Sequence, residues 1–262
     1  MDQTSPFAII TGASRGIGAE YARALASQGY DLLLVARDST RLEILRQELH
    51  RVTQREIWTE SLDLSQPQAA ETLHDLALSY RAEVSLLINN AGFGSYGDFV
   101  DIPLSSIRKM LQLHINTIVE SIRLFLPAML IRKQGTIITV ASVAGFFPIP
   151  YITEYAATKA FLIAFSEGLA RETQNQGVTI QVCCPGFTDT DFHKSAGHQP
   201  KHVFFAQSPQ QVVQASLQAL QSKRTLVTIG WQGRLALWIS KIVPHTIMMA
   251  LAGKTVKPPP PA

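Results

Sequence analysis

Short apolar runs alternate along the chain with longer segments in which apolar residues recur every three or four positions. The runs are continuously apolar, which is typical of strands covered on both faces. They predict strands at 7–10, 31–36, 58–62, 84–89, 136–141, 178–184 and 226–229. The longer segments predict helices at 16–29, 38–54, 67–81, 103–133, 152–176 and 208–222. This alternation predicts an α/β fold with about seven parallel strands in one doubly wound sheet and helices on both faces.

The pattern contains no linker and no shift in composition before residue 230. We therefore expect one domain over 1–230 and a C-terminal extension over 231–262 that ends in a proline-rich tail. Trp231 and Trp238, with their apolar neighbours, could make the extension a peripheral membrane anchor. A pocket cover or a subunit contact is the favoured interpretation.

Composition narrows the class of protein. Hydrophobic residues are 46% of the 262 residues, which excludes a disordered chain, and charged residues are only 16%. The formal net charge of +3 is too small and too scattered to favour nucleic acid as a partner. The first residues lack the pattern of a signal peptide, and no run reaches the roughly 18 uninterrupted apolar residues of a membrane span. Cys183 and Cys184 are adjacent, so a reduced, cytoplasmic protein is the simplest expectation.

A glycine-rich turn follows the first predicted strand and opens the first helix. Glycines at this place let backbone amides approach a pyrophosphate at the helix N-terminus, as in a Rossmann-type nucleotide site. The spacing is Gly-x-x-x-Gly-x-Gly, so a tight turn without a ligand is the alternative. The candidate cofactor-binding residues here are Gly12, Ser14, Arg15, Gly16, Ile17 and Gly18.

The end of the second strand indicates which nucleotide binds. An acidic side chain there would bind the ribose hydroxyls and select NAD. The chain instead has Arg37, and Arg15 projects from the glycine turn. Two guanidinium groups suit a 2′-phosphate, which favours NADP(H). In the alternative interpretation both arginines are solvated and Asp38 only caps the next helix.

A catalytic set is predicted in the second half of the chain. Tyr155 and Lys159 are one helical turn apart, and Ser142 directly follows the fifth predicted strand. A neighbouring ammonium favours the phenolate form of a tyrosine, and a serine hydroxyl stabilises an alkoxide that develops on a carbonyl oxygen. Together the three residues could deliver a proton to a carbonyl while a hydride arrives.

These motifs resemble those of the short-chain dehydrogenase/reductase family over roughly residues 5–230. The resemblance implies that Tyr155 exchanges the proton, that Lys159 lowers the pKa of Tyr155 and holds the nicotinamide ribose, and that Ser142 orients the carbonyl. It also implies that Asn116 binds a water that relays protons from Lys159. The further cofactor-binding residues that it implies are Asp63 and Leu64 at the adenine, Asn90, Ala91 and Gly92 on the adenosine side, and Pro185, Gly186, Thr188 and Thr190 at the carboxamide. His114 is interpreted as a packing residue.

The predicted pocket loops are aromatic and mostly uncharged, with Phe93 and Tyr96 after the fourth strand. A small apolar carbonyl or alcohol compound is therefore the expected substrate. We expect the segment of about 187–207 to be a lid. No metal is expected, because the spacings of His193, His198 and His202 are loose.

Two functions are open at this point. The favoured one is a ketone reductase with NADP(H), and the alternative is a non-catalytic NADP-binding sensor on the same fold. The low surface charge and the apolar flank of the Tyr155 helix predict a homodimer or homotetramer, which similar enzymes often form through their fourth and fifth helices.

Overall fold

The computed structural model describes residues 5–190, 206–244, 246, 247 and 249. The strands are β1 (Phe7–Thr11), β2 (Asp31–Ala36), β3 (Ile57–Ser61), β4 (Leu86–Asn89), β5 (Gly135–Val140), β6 (Val178–Cys184) and β7 (Leu226–Thr228). The α-helices are α1 (Gly16–Ser27), α2 (Ser39–Thr53), α3 (Ala69–Tyr80), α4 (Leu104–Leu111), α5 (Thr117–Arg132), α6 (Thr153–Glu172), α7 (Pro209–Gln221) and α8 (Gly230–Ile242). Short 3₁₀ turns at Phe99–Asp101 and Val143–Phe146 and a π turn at Gln112–Asn116 complete the described elements.

The seven strands form one parallel sheet in the order β3-β2-β1-β4-β5-β6-β7. Successive residues of a strand point to opposite faces, so β1 contributes Ala8 and Ile10 to one core and Phe7 and Ile9 to the other. The first core is closed by α1, α2 and α7, and the second by α3, α5 and α6. The predicted doubly wound fold with helices on both faces is confirmed.

The strand order reverses between β1 and β4, which are neighbours in the sheet although β2 and β3 lie between them in sequence. Their carboxyl ends are joined by two side chains. The Thr11 hydroxyl donates to Ile88 O at 3.2 Å and accepts from the backbone amides of Asn90 and Ala91 at 3.0 and 3.1 Å. The Asn90 side chain donates to Thr11 O at 2.9 Å and to Gly12 O at 3.2 Å. Ligands of open α/β folds bind at such a reversal point.

The helix predicted over 103–133 is interrupted. The π turn Gln112–Asn116 separates α4 from α5, and such turns are frequent at functional sites. The whole stretch Leu104–Arg132 is long and apolar enough to cross a membrane by length and composition. Its buried residues, including Leu113, Ile122 and Phe125, pack against the sheet in the second core, so one face of the stretch belongs to the core of this fold.

The sequence pattern does not predict α8. The helix follows β7 directly, begins after Ile229 and runs beyond the boundary set at residue 230. From the sequence alone, the apolar residues of this segment are compatible with three roles: a pocket cover, a subunit contact or a membrane anchor. In the structure α8 contacts β7 and the Val143–Phe146 turn.

Candidate active site

A cavity of about 770 Å³ opens at the carboxyl edge of the sheet, beside the junction of β1 and β4. It brings together all the candidate residues of the sequence analysis except Gly18 and Asn116. The lining residues that were predicted are Gly12, Ser14, Arg15, Gly16, Ile17, Arg37, Asp63, Leu64, Asn90, Ala91, Gly92, Ser142, Tyr155, Lys159, Pro185, Gly186, Thr188 and Thr190. A second cavity of about 550 Å³ lies between α1 and α7 and contains none of them.

The glycine turn is a cradle that larger residues would fill. Gly12 and Gly16 have φ angles of +66° and +57°, in the left-handed region that favours glycine. A Cβ atom on Gly12 would lie 2.8 Å from Ala91 Cα, and one on Gly16 would lie 3.0 Å from Thr190 Cγ2. Gly18 lies behind the turn, where a Cβ atom would come within 2.2 Å of Gly12 O. Gly18 therefore permits close packing of α1 and does not line the cavity.

The polar end of the cavity carries Arg37, which is exposed just past β2, and Arg15, which is exposed at the start of α1. Asp38 accepts from Arg41 N at 3.0 Å and caps α2, so its carboxylate is engaged with the helix. Burial opposes ionisation of Asp63, but hydrogen bonds from Ser65 and Gln66, helped by the charge of Arg37, lower its pKa. The carboxylate of Asp63 is thus ionised near neutral pH.

The loop after β6 is held by Gln207, which the sequence analysis did not single out. Its side-chain oxygen accepts from Gly186 N at 3.1 Å, and its side-chain nitrogen donates to Ile229 O at 2.8 Å. Its backbone pairs with that of Thr188. Gln207 thereby fixes the wall formed by Pro185, Gly186 and Thr188. The predicted lid lies for the most part outside the described residues, at 191–205.

Ser142, Tyr155 and Lys159 meet where β5 ends and α6 begins. Ser142 directly precedes the Val143–Phe146 turn, and its hydroxyl accepts from Ala144 N at 3.1 Å. The Tyr155 phenol is hydrogen-bonded to the Ser142 side chain. Lys159 is buried, donates to Val140 O at 3.0 Å and lies 5.6 Å from the centre of the Tyr155 ring. The predicted set is therefore assembled in one place.

His114 reaches this group from the π turn. Its Nε2 accepts from Phe93 N at 3.1 Å, so the ring proton resides on Nδ1, which lies 3.0 Å from the Thr158 hydroxyl. The Thr158 hydroxyl in turn donates to Tyr155 O at 2.8 Å. Burial, with the positive charge of Lys159, holds the pKa of His114 well below its usual 6.5. His114 is thus a neutral residue that joins the loop after β4 to the helix carrying Tyr155.

Asn116 lies at the end of the same π turn. It is exposed, it donates to Gln112 Oε1 at 2.9 Å, and it does not line the cavity. The π turn directs the His114 side chain inward and leaves the Asn116 side chain on its exposed side, and the water-relay role of Asn116 stays a prediction. A signal for His114 was present in the sequence: it lies at a core-facing position between Leu113 and Ile118 of an apolar helix, and a buried polar residue is informative.

Comparison with known proteins identifies the family. A family model described as short chain dehydrogenase matches residues 6–201. The chain belongs to the short-chain dehydrogenase family. Among its relatives, a very-long-chain 3-oxoacyl-CoA reductase-A of Danio rerio is 35% identical over 196 residues, which are 72% of this chain and 60% of the relative. The match therefore spans less than two thirds of that relative's length.

Two solved structures share this architecture. A short-chain dehydrogenase from Sphingobium yanoikuyae in complex with NADPH has a TM-score of 0.80 and 29% identity, and the match covers 95% of this chain and 93% of that one. A bulky-bulky ketone specific alcohol dehydrogenase from Comamonas testosteroni has a TM-score of 0.78 and 27% identity, with 98% and 96% covered.

Burial dominates the acid–base properties of this short-chain dehydrogenase. It raises the pKa of Tyr155 to about 12, although the hydrogen bond with Ser142 works in the opposite direction. It lowers the pKa of Lys159 to about 8, against a smaller opposing effect of Cys184. Burial is the largest effect on the pKa of Tyr155, and the expected lowering of that pKa by Lys159 stays a prediction. Tyr155 is therefore a protonated phenol near neutral pH, the form needed to donate a proton.

Among the residues that the structure describes, no group of three or more His, Cys, Asp or Glu side chains is placed to hold a metal. His193, His198 and His202 lie outside those residues. Cys183 and Cys184 are free thiols buried in the two cores.

Replacing Lys159 should stabilise the fold while removing a site residue. At pH 7 the buried ammonium is charged at a cost, because its pKa is about 8 in the folded protein and 10.5 for an exposed lysine. Lys159→Met should therefore raise the free energy of unfolding at pH 7 by up to about 3 kcal/mol. The unfolded chain binds the extra proton between these two pKa values, so the advantage of the variant should shrink as pH rises from 8 to 10.5.

Urea unfolding of both proteins across pH 7–11 measures this difference. Lys223→Met, in the turn after α7 and away from the cavity, is the control and should show no such dependence. A Lys159→Met protein that is less stable than the parent at pH 7 would contradict the cost assigned to the buried charge.

The π turn carries two residues, His114 and Asn116, whose roles can be tested side by side. His114→Phe keeps the ring but removes the bonds to Phe93 and Thr158, so we expect the free energy of unfolding to fall by about 1–3 kcal/mol and kcat to fall at least tenfold. Asn116→Ala changes an exposed side chain. We expect the free energy of unfolding to stay within about 0.5 kcal/mol of the parent value and kcat to stay within about twofold.

Urea unfolding and turnover of NADPH with one ketone substrate measure both effects. The KM for NADPH should change little in His114→Phe, because His114 does not line the cavity. A large loss of kcat in Asn116→Ala with normal stability would support the water-relay role of Asn116.

Proposed function

We propose that this protein is an NADP(H)-dependent oxidoreductase that reduces the ketone group of an apolar substrate to an alcohol. The single observation that carries the proposal is the shared cavity. Ser142, Tyr155 and Lys159 line the same space as the glycine cradle and the two arginines. A proton donor and a nucleotide site are both required for reduction of a carbonyl, and here they adjoin.

The residues present fit a dinucleotide phosphate. The Gly12–Gly16 turn leaves room for the close approach of a pyrophosphate to backbone amides at the start of α1. Arg15 and Arg37 supply donors for a 2′-phosphate, while Asp38 is engaged as a cap. The NADPH complex of the Sphingobium yanoikuyae relative supports this choice. When bound, the cofactor supplies the hydride.

The chain's own residues supply the proton and the orientation. The Ser142 hydroxyl is placed to donate to the carbonyl oxygen, and Tyr155 gives its proton to the alkoxide that forms there. The transfer is favourable even with a pKa of about 12, because an alkoxide is a stronger base than a phenolate. The positive charge of Lys159 beside the ring stabilises the phenolate that remains until Tyr155 is reprotonated. His114 and Thr158 hold the backbone of Tyr155 in place.

The far end of the cavity suits an apolar substrate. The apolar and aromatic residues that line it are Phe93, Tyr96, Leu113, Val143, Ala144, Ile152 and Phe187. The names of two relatives support an apolar substrate. One is a very-long-chain 3-oxoacyl-CoA reductase, and the other is a bulky-bulky ketone specific alcohol dehydrogenase. We therefore propose a bulky or long-chain ketone. The non-catalytic sensor has no specific observation in its favour.

We also propose how the chain assembles, where it is located and how it is divided. Exposed apolar side chains on α4, α5 and α6 support pairing of the chain into a homodimer or homotetramer. They are Leu104, Leu111, Ile131 and Phe161. The buried, reduced thiols are consistent with a cytoplasmic protein. The division into a domain over 1–230 and an extension over 231–262 is kept as proposed, and most of α8 lies in the extension.

Tyr155→Phe tests the reaction. The ring keeps its packing but has no proton to give, so we expect turnover of any accepted ketone to fall at least about a hundredfold. NADPH should still bind. A panel of straight-chain and bulky apolar ketones, followed by loss of NADPH absorbance, identifies a substrate and measures the loss.

Tyr30→Phe is the matched control, since Tyr30 is partly buried near the second cavity and away from this site. Substantial residual turnover in Tyr155→Phe would mean that another group supplies the proton. NADPH binding without turnover of any ketone by the parent protein would favour the sensor.

Arg37→Asp tests the cofactor. Replacing a charge-assisted donor with a carboxylate should weaken NADPH binding by tenfold or more, corresponding to roughly 1.5–3 kcal/mol, and should leave NADH binding less affected. Arg51→Asp makes the same change of charge on the exposed end of α2 and should leave NADPH binding within about twofold. Fluorescence titration with both cofactors gives the dissociation constants. Equal affinity of the parent protein for NADH and NADPH would overturn the assignment.

A further inference from the structure

Helix α8 presents an apolar stripe to the outside. Trp231, Leu235, Trp238 and Ile242 are 61%, 43%, 59% and 60% exposed. Their spacings of four, three and four residues put them on one face of the helix. We call these four residues the α8 stripe. An isolated exposed apolar residue is common. A continuous apolar stripe with two tryptophans instead indicates a site of interaction with a membrane or with another protein.

The opposite face of α8 is fixed to the fold. Gly233 is buried, and a Cβ atom there would lie 3.2 Å from Thr228 Cβ, so the helix lies close against the end of β7. The helix also contacts the Val143–Phe146 turn. Val143 and Ala144 of that turn line the cavity. The α8 stripe is therefore carried by a helix that adjoins the apolar wall of the active site.

The charge of the chain is divided along the sequence. Asp191 is the last acidic residue, and the 71 residues after it contain eight Lys and Arg residues. The part up to Asp191 contains fifteen Lys and Arg against twenty Asp and Glu. On α8 the charged residues are Arg234, which is exposed, and Lys241. The stripe therefore lies in a segment that has only positive charges.

We infer that the α8 stripe docks on the surface of an anionic phospholipid membrane. Tryptophan rings favour the boundary between headgroups and acyl chains, and Lys and Arg beside an apolar helix face attract anionic headgroups. A second copy of the chain fits less well. Pairing of two α8 helices would bring together two segments that carry only positive charges, and neither segment has an acidic residue to neutralise the other.

This docking goes beyond the proposed function, although it suits it. Helix α8 contacts the turn whose residues Val143 and Ala144 line the cavity. A membrane bound to α8 would therefore lie near the cavity, and an apolar ketone dissolved in the lipid would have a short path to it. Binding to the membrane does not require cofactor, substrate or turnover. The two proposals can therefore fail separately.

Co-sedimentation of the full chain with vesicles tests the inference, in the absence of nucleotide and ketone. The chain should bind vesicles of equal parts phosphatidylglycerol and phosphatidylcholine, and should bind pure phosphatidylcholine several-fold more weakly. The double variant Trp231→Ser with Trp238→Ser should bind the mixed vesicles at least about tenfold more weakly. Arg234→Gln with Lys241→Gln should lose several-fold, and raised salt should weaken the parent protein in the same way.

The matched control removes two exposed apolar residues from α2, as Ile44→Ser with Val52→Ser, and should bind vesicles like the parent protein. Thermal unfolding of each variant verifies that it is folded. Equal loss in the control, or no binding of the parent to mixed vesicles, would overturn the inference. Light scattering without vesicles gives a further test. If the tryptophan double variant had half the mass of the parent protein, the inference would also be overturned, because the stripe would then join two copies of the chain.

Discussion

The junction of β1 and β4 is the constraint on which the site depends. Helices turn away to opposite faces of the sheet on either side of it, and this opens a crevice at the carboxyl edge. Thr11 and Asn90 bridge the two strand ends through their side chains and backbone amides. Because Asn90 also binds Gly12 O, the same contacts that close the sheet set the shape of the glycine turn. Fold and nucleotide cradle are therefore fixed by one set of hydrogen bonds.

The catalytic side of the crevice depends on burial. Lys159 is held in the interior as a charged group although that lowers its pKa, and Tyr155 is kept protonated beside it. Neither arrangement favours stability by itself, since an apolar residue would fill the position of Lys159 without a charge to desolvate. The ladder from Phe93 through His114 and Thr158 to Tyr155 holds this arrangement with neutral hydrogen bonds. Such strain at a reactive centre, supported by its surroundings, is common in enzymes.

Much of this could be predicted from the sequence, because buried parallel strands have a strong local signal. The continuous apolar run at Leu32–Val35 needs no partner to be recognised, and a glycine turn after a strand has a direct physical reason. The boundaries of β4 and β7 were harder to place, since apolar residues extend past the hydrogen-bonded pairs. The roles of His114 and Gln207 depend on contacts across long stretches of sequence, which spacing alone does not reveal. Helix α8 was missed, although its exposed apolar residues recur at helical spacing.

The Gln207 side chain joins two parts of the molecule that serve different purposes. One end of its amide holds Gly186 in the cavity wall, and the other holds Ile229, the residue from which α8 starts. A displacement of Ile229 relative to the sheet must therefore either move the cavity wall with it or break a buried hydrogen bond. The amide thus gives the start of the outer helix and the loop beside the reacting groups a common anchor.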